Sequence, residues 1–247
     1  PSEQQIKQYQ QIASSYFSAA VCENEMKWPL MEDGAGEEKP ELAEAMYKWA
    51  SDQGLKMRGH CVFWGVGRWQ PDWLKELAKQ QPQVIEQRIK QRLQRVAKRF
   101  AGRIDEWDLN NEMMHEDIFG KGLGLKDGSA YFKWAADLAT KMRFYVNEYG
   151  VLQGNEVDKY VKHIRQLQEA GAQIHGIGDQ GHFFKPIPSN QAIWGILEKL
   201  GQFRLPVKIT EFDLAYKGMS EQDQAEQLRR FYRVCFSHPA VEGIYMW

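Results

Sequence analysis

Two glutamates, Glu112 and Glu211, have the residue type and the positions in the chain that suggest catalysis. Glu112 closes residues 107–112 (WDLNNE) and Glu211 lies in residues 208–213 (KITEFD), and each follows a short apolar run that predicts a β-strand. In a chain of alternating strands and helices, the carboxyl ends of parallel strands converge on one face. Two carboxyl groups that meet there suggest glycoside hydrolysis, which needs an acid and a base or nucleophile around a sugar–oxygen bond.

The apolar residues predict strands and helices that alternate along the chain, with loops at residues 33–39 and 120–128. The helix predicted at residues 82–100 is amphipathic, because apolar residues such as Ile85 and Ile89 recur near the helical period. The predicted helices are residues 2–17, 40–53, 82–100, 131–140, 155–170, 190–200 and 221–236. The predicted strands are residues 18–23, 56–64, 104–110, 143–149, 173–182, 206–212 and 242–247.

This alternation predicts an α/β fold with a parallel sheet. The length of 247 residues suits an α/β barrel that forms one domain, so residues 1–247 are expected to be a single catalytic domain. The sequence predicts seven strands, whereas a closed barrel of this kind has about eight. We therefore expect an incomplete (β/α)8 TIM barrel in which the first strand and the last helix are absent from this chain.

Composition excludes several other classes of protein. The formal net charge is −1 with both signs interspersed, so neither a nucleic acid nor a membrane is an expected partner. No apolar run reaches the roughly 18 residues of a membrane-spanning helix. Cys22, Cys61 and Cys235 lie in apolar segments and are expected to be free and buried. The chain starts with Pro1 and shows no leader, so a targeting signal is expected to have been removed.

Tryptophan is abundant, with nine residues, and most aromatic side chains are expected in the core. Some tryptophans instead adjoin polar clusters at predicted strand ends, where a flat ring could face the C–H groups of a sugar. These are Trp28, Trp64, Trp69, Trp73 and Trp247.

Five ordered runs of residues make the chain resemble the endo-β-1,4-xylanases of glycoside hydrolase family 10. The resemblance covers essentially the whole chain, and it implies a (β/α)8 barrel, retention of anomeric configuration, no cofactor and a secreted protein. The implied partners are xylan or xylo-oligosaccharides, with carbohydrate-binding modules elsewhere in a full-length protein. The runs are residues 23–28 (ENEMKW), 58–64 (RGHCVFW), 107–112 (WDLNNE), 176–182 (GIGDQGH) and 210–213 (TEFD).

The chain departs from the family pattern in two places. It begins after the family's first strand and ends at Trp247, so a second tryptophan and the closing helix would lie further on. Residues 65–71 (GVGRWQP) replace a loop that usually supplies a polar, sugar-binding side chain. This second departure leaves the subsite preference open.

The resemblance assigns the catalytic roles. Glu112 is expected to be the acid/base, protonated before cleavage and ionised afterwards, although a solvated glutamate at a strand end is the alternative. Glu211 is expected to be the nucleophile, which retention places about 5 Å from the acid. His182 is expected to bridge Glu211 and Asp213 and to keep the nucleophile oriented and charged.

The remaining predicted site residues bind substrate. Asn111 is expected to hydrogen-bond the sugar 2-hydroxyl, and Gln180 the reacting sugar. His60 and His182 are not expected to bind a metal, because their polar neighbours are amides and tryptophans; the role of His115 stays open. The other predicted substrate-binding residues are Glu23, Asn24, Lys27, His60, Trp64, Asn147 and Trp247.

Two other functions stay open at this point. The same scaffold could hydrolyse β-1,4-glucan or a mixed-linkage glycan, because xylose differs from glucose only by lacking the hydroxymethyl group at C5. The third hypothesis is a non-catalytic sugar-binding barrel or an inactive fragment of one.

Overall fold

The computed structural model describes residues 2–34, 36–214 and 218–247 of the chain. Within these residues, seven strands form a continuous path through a curled parallel sheet, and helices lie between successive strands. The count confirms the seven strands that the sequence predicts, and the parallel pairing confirms the α/β class. In chain order the strands are Ala19–Val21, Lys56–Gly59, Glu106–Asp108, Arg143–Glu148, Gly176–Asp179, Val207–Leu214 and Val241–Met246.

Neighbouring strands in the sheet are also neighbours in the chain. Ala19 pairs with Lys56 at one end of the path, and Val241 pairs with Val207 at the other. Each pair of strands is parallel, so their carboxyl ends all reach one edge of the curled sheet. This edge is where the sequence places the candidate site residues.

Three short strand segments extend this edge. Phe63–Trp64 pairs with Asn110–Asn111, and His182–Phe183 pairs with the strand Val207–Leu214. The strands predicted over residues 56–64, 104–110 and 173–182 are therefore each split in two. In the last case the break includes Gly181, whose φ of +76° is left-handed and interrupts an extended strand.

The structure describes ten α-helices and a 3-10 turn, Gly67–Trp69. The seven helices that the sequence predicts are present, with ends that differ by a few residues. Three further helices were not predicted: Trp28–Met31, Asp72–Gln80 and Ile118–Leu123. The predicted seven are Glu3–Tyr16, Glu41–Asp52, Pro82–Phe100, Ser129–Leu138, Val157–Glu169, Asn190–Gly201 and Glu221–Ser237.

The helix Ile118–Leu123 corrects part of the loop predicted at residues 120–128. The glycines of residues 120–128 indicate a loop. In the structure, however, Asp117 caps a helix by accepting the N–H of Gly120 at 3.0 Å. Close packing explains Gly122, because a Cβ there would lie 2.0 Å from the carbonyl oxygen of Ala78 in the helix Asp72–Gln80. The local sequence favours a loop, and tertiary packing selects a helix.

The core lies between the sheet and its surrounding helices. Pro82–Phe100 buries the apolar stripe that its sequence predicts, including Ile85 and Ile89. All three cysteines are free and buried, as predicted. Among the helices of the described residues, none combines the length and apolar character needed to cross a bilayer.

Candidate active site

Glu112 directly follows the strand segment Asn110–Asn111 and has a left-handed backbone with φ of +55°. A side chain other than glycine rarely adopts this conformation, and such residues cluster at functional sites. Two backbone hydrogen bonds fix the main chain at Glu112. Its N–H donates to the carbonyl oxygen of Asn147 at 3.0 Å, and its own carbonyl accepts the N–H of His115 at 3.0 Å.

Glu112 is only 8% exposed, and both of its carboxyl oxygens have a donor. Gln180 Nε2 donates to Oε1 at 2.9 Å, and Trp64 Nε1 donates to Oε2 at 3.1 Å. Trp64 ends the segment Phe63–Trp64 and Gln180 follows the strand Gly176–Asp179, so the two donors come from different strands. They fix the direction in which the carboxyl group points.

Glu211 lies within the strand Val207–Leu214 and is 5% exposed. Its Oε1 accepts a hydrogen bond from Asn147 Nδ2 at 2.9 Å and lies 3.8 Å from Nδ1 of His60. Its Oε2 lies 3.3 Å from Nε2 of His182. Asn147 and His182 are therefore within hydrogen-bonding distance of the carboxyl group, and His60 lies beside it.

His182 lies between two carboxylates. Its Nε2 faces Glu211, and its Nδ1 lies 3.0 Å from Oδ1 of Asp213. Burial alone would lower the pKa of His182, but hydrogen bonding and charge from Asp213 and Glu211 outweigh burial and raise this pKa to about 10. The imidazole is consequently a cation at neutral pH, and its two ring nitrogens lie against Glu211 and Asp213.

Asn147 and Gln180 each form hydrogen bonds with both glutamates. Asn147 Nδ2 donates to Asn111 Oδ1 at 2.8 Å as well as to Glu211, and Asn147 Oδ1 accepts the hydroxyl of Thr210 at 2.6 Å. Gln180 donates to Glu112 through its side chain, while its carbonyl oxygen accepts the N–H of Glu211 at 2.8 Å. Glu112 and Glu211 thus face one network of buried hydrogen bonds.

A buried ion pair supports His60. Arg58 forms a two-pronged contact with the carboxylate of Asp108, and His60 Nδ1 lies 2.9 Å from Asp108 Oδ2. Burial raises the pKa of Asp108, but the Arg58 charge and the His60 contact overcome this and hold the pKa below its usual value. Asp108 is therefore an anion that orients His60 beside Glu211.

Neither Arg58 nor Asp108 is among the predicted site residues, although both fall inside the runs that carry the family resemblance. A signal was available, because a charged residue in a short buried strand requires a partner. Arg58 also lies two residues before His60, so strand alternation places both side chains on one face.

Lys27 and two tryptophans form one wall of the site. Lys27 Nζ donates to Asn24 Oδ1 at 3.0 Å and lies 4.8 Å from the ring centroid of Trp64 and 6.0 Å from that of Trp247. The Trp247 ring packs edge-to-face against His60, with centroids 5.4 Å apart. Four predicted substrate-binding residues, Asn24, Lys27, Trp64 and Trp247, are therefore brought together.

Glu23 is the exception among the predicted residues. It is exposed, and within the described parts of the chain no hydrogen bond or ion pair joins it to Asn24 and Lys27. The structure thus leaves Glu23 outside the buried network.

Glu148, a buried neighbour of this network, is not among the predicted site residues. Its Oε1 accepts the N–H of Met114 at 2.6 Å, and its Oε2 lies 2.8 Å from Nδ1 of His115. Burial raises the pKa of Glu148, and the contacts with His115 and Met114 oppose that increase. Strand alternation could have indicated this residue, because Glu148 must face away from its neighbour Asn147.

The fold and the paired carboxylates at the carboxyl ends of the strands are those of the barrel class of glycoside hydrolases. The sequence profile of "Glycosyl hydrolase family 10" matches residues 2–247. The chain therefore belongs to glycosyl hydrolase family 10.

Two curated relatives match almost the whole of this chain. The anti-sigma-I factor RsgI6 of Acetivibrio thermocellus is 34% identical over 97% of this chain, which corresponds to 30% of that protein. The endo-1,4-beta-xylanase 5-like protein of Arabidopsis thaliana is 32% identical over 97% of this chain and 42% of its own length. The chain thus spans less than half the length of either relative.

A solved structure shows the same fold. Native xylanase 10B of Thermotoga maritima superposes with a TM-score of 0.87 at 24% identity, covering 98% of this chain and 77% of that one. The expected (β/α)8 architecture is confirmed in the incomplete form that the sequence predicts.

Proposed function

We propose that this protein hydrolyses internal β-1,4-xylosidic bonds of xylan with retention of anomeric configuration. The observation that carries the proposal is the shared network of Glu112 and Glu211, two buried carboxyl groups joined through Asn147 and Gln180. Membership of family 10 and a relative named as an endo-1,4-beta-xylanase support xylan as the substrate. Residues 1–247 are proposed to act as one catalytic domain.

The reaction has two displacement steps. Glu211 attacks the anomeric carbon while Glu112 gives its proton to the departing glycosidic oxygen, which breaks the sugar–oxygen bond and leaves a glycosyl ester on Glu211. Glu112, now ionised, then takes a proton from a water molecule that attacks the same carbon. The ester bond breaks, and both glutamates return to their first protonation states.

The groups around Glu211 orient its carboxylate for attack on the anomeric carbon. The protonated His182 and the amide N–H of Asn147 contact the Glu211 carboxylate and fix its orientation. His60, oriented by Asp108, approaches from another side. A nucleophile held in this way loses little orientational freedom when the sugar binds.

The sugar-binding roles follow from the same arrangement. The Asn111 oxygen accepts from Asn147, so its amide nitrogen is left to donate to the 2-hydroxyl of the reacting sugar. Lys27 offers N–H donors to hydroxyls, between the rings of Trp64 and Trp247. A polymeric substrate stays outside the cell, so we also propose that the protein is secreted.

The decisive experiment compares initial rates of reducing-sugar release from xylan and from carboxymethylcellulose, with Glu211→Ala as the inactive control. We expect turnover of xylan by the native protein, almost none of carboxymethylcellulose, and loss of turnover in Glu211→Ala with xylo-oligosaccharide binding retained. Faster hydrolysis of carboxymethylcellulose would favour a glucanase. Substantial xylan hydrolysis by Glu211→Ala would reject the nucleophile assignment.

A non-catalytic sugar sensor is the second candidate. It is favoured by the relative at 34% identity that is named an anti-sigma-I factor, a name that describes regulation of transcription and no hydrolysis. Binding of xylohexaose by the native protein without any release of reducing ends would support this alternative. The two buried glutamates favour the enzyme, because a sensor needs no paired acid and nucleophile.

A further inference from the structure

Trp69 is an exposed aromatic side chain beside the candidate active site, with 57% of its surface accessible. Its ring centroid is 5.9 Å from that of Trp64, and the two ring planes differ by 26°. Trp64 in turn donates a hydrogen bond to Glu112. Single exposed apolar residues are common on proteins. Trp69 differs because it stacks with Trp64, the tryptophan that contacts the predicted acid Glu112.

The loop that carries Trp69 is firmly attached to the segment after the predicted acid. The N–H of Gly67 donates to Glu116 Oε2 at 3.0 Å, and the N–H of Ile118 donates to the carbonyl oxygen of Gly65 at 2.9 Å. A Cβ at Gly65 would lie 2.8 Å from Oδ1 of Asp117, so this close approach requires glycine. The position of Trp69 relative to the acid is therefore fixed by the fold.

Hydrogen bonds within residues 64–70 also hold the loop. Gln70 Nε2 donates to the carbonyl oxygen of Trp64 at 2.6 Å, and the N–H of Trp69 donates to the carbonyl oxygen of Val66 at 3.1 Å. These bonds hold Trp69 at the end of a short 3-10 turn. An aromatic ring fixed in this way can bind a ligand with little loss of conformational entropy.

Cationic groups and aromatic rings alternate along this surface. Lys27 Nζ lies 4.8 Å from the Trp64 ring, Trp64 stacks with Trp69, and the Arg68 guanidinium carbon lies 5.4 Å from the Trp69 ring. A pyranose ring presents apolar C–H groups on its faces and hydroxyls around its rim. Flat rings with N–H donors beside them match both features.

We propose that Trp69 and Arg68 form a further sugar-binding subsite, which holds a xylosyl unit of the same β-1,4-linked chain away from the bond that is cleaved. The Trp69 ring packs against the C–H groups of that unit, and Arg68 donates to its hydroxyls. This inference rests on the proposed function of the neighbouring site. It also gives residues 65–71, which depart from the family pattern, a role in substrate length preference.

The test measures kcat/KM of Trp69→Ala on substrates of increasing length. We expect about a tenfold loss on xylohexaose, corresponding to about 1.4 kcal/mol, and almost no loss on an aryl xylobioside that is too short to reach Trp69. Trp194→Ala is the matched control, because Trp194 is 38% exposed on the outer helix Asn190–Gly201. This control should behave like the native protein on both substrates.

Equal losses on the short and long substrates would overturn the proposal, because Trp69 would then act only by supporting Trp64. No loss on xylohexaose would overturn it as well.

Isothermal titration with xylohexaose separates this inference from the proposed function. If the native protein binds xylohexaose without cleaving it, the proposed enzyme activity fails, and about tenfold weaker binding by Trp69→Ala still supports the subsite. Absence of xylohexaose binding by the native protein would reject the subsite.

Discussion

The carboxylate of Glu148 lies 2.8 Å from the ring Nδ1 of His115, and this pair fastens the turn that follows Glu112. Glu148 also accepts the N–H of Met114 in the same turn. On its other side, the Glu148 carbonyl oxygen accepts the N–H of Gln180, whose side chain donates to Glu112. Glu148 therefore supports the position of Glu112 in two ways, through the turn that follows it and through Gln180.

We expect Glu148→Ala to lower kcat on xylan by about 10- to 100-fold with a small change in KM, because a misplaced acid slows bond cleavage more than it weakens binding. Glu148→Gln should lose less, because its amide oxygen can still accept the N–H of Met114. The measurement is steady-state kinetics on xylan and on an aryl xylobioside with an activated leaving group. A positioning role predicts a smaller defect on the activated substrate, and equal defects on both would contradict it.

Removing the predicted acid should separate the two chemical steps. We expect Glu112→Ala to lower the rate on xylan by about 100-fold or more. With a dinitrophenyl xylobioside, whose leaving group needs no proton, the first step should continue and a glycosyl ester on Glu211 should accumulate. Mass spectrometry of the intact protein detects this adduct.

Glu169→Ala is a suitable control, because Glu169 is exposed at the end of the outer helix Val157–Glu169. It should turn over both substrates like the native protein. An unmodified Glu112→Ala protein after incubation with the activated substrate would contradict the acid role.

The sequence could predict the fold and much of the site for one physical reason. Apolar runs identify the strands, and parallel pairing then brings their carboxyl ends to one edge whatever the distance in sequence. For this reason Glu112 and Glu211 could be placed together from strand ends, whereas Gln180 was included through the family resemblance.

Side-chain partners were harder to predict, since they depend on register between strands. Arg58 and Asp108 meet only because Arg58 pairs with Glu106 in the sheet. His115 and Glu148 meet only because the turn after Glu112 folds back. The glycine-rich helix Ile118–Leu123 depends on packing against the helix Asp72–Gln80, which the local sequence does not contain.

The raised pKa of His182, about 10, predicts a pH-dependent stability. A histidine whose folded pKa exceeds its unfolded value of about 6.5 stabilises the protein fully below pH 6.5, and this contribution is lost as pH rises towards 10. His182→Gln should therefore be less stable than the native protein by about 1.5–3 kcal/mol at pH 6. The difference should shrink towards pH 10.

Urea unfolding at several pH values measures this difference. Asp213→Asn removes one of the two carboxylates that stabilise the His182 cation, so it should show part of the same effect. A stability difference between His182→Gln and the native protein that does not vary between pH 6 and pH 10 would show that His182 does not carry the charge assigned to it.

Asp179 gives a dependence on pH of the same sign, but over a lower pH range. Burial raises its pKa to about 7, and hydrogen bonds from backbone N–H groups, including that of Leu152 at 3.1 Å, only partly oppose the increase. The folded state then binds a proton that the unfolded state releases near pH 4, so this carboxyl group lowers stability progressively as pH rises from about 4 to 7. Each tenfold difference in proton affinity is worth about 1.4 kcal/mol.

Asp179→Asn should remove this loss, because the neutral amide has no charge to bury and its oxygen can still accept the N–H of Leu152. We expect the variant to gain stability relative to the native protein between pH 5 and pH 8, measured by urea unfolding at each pH. Asp158→Asn is the control, because Asp158 is exposed and should change stability by less than about 0.5 kcal/mol. If Asp179→Asn shows the same pH profile as the native protein, the buried carboxyl group is not the cause of the decline.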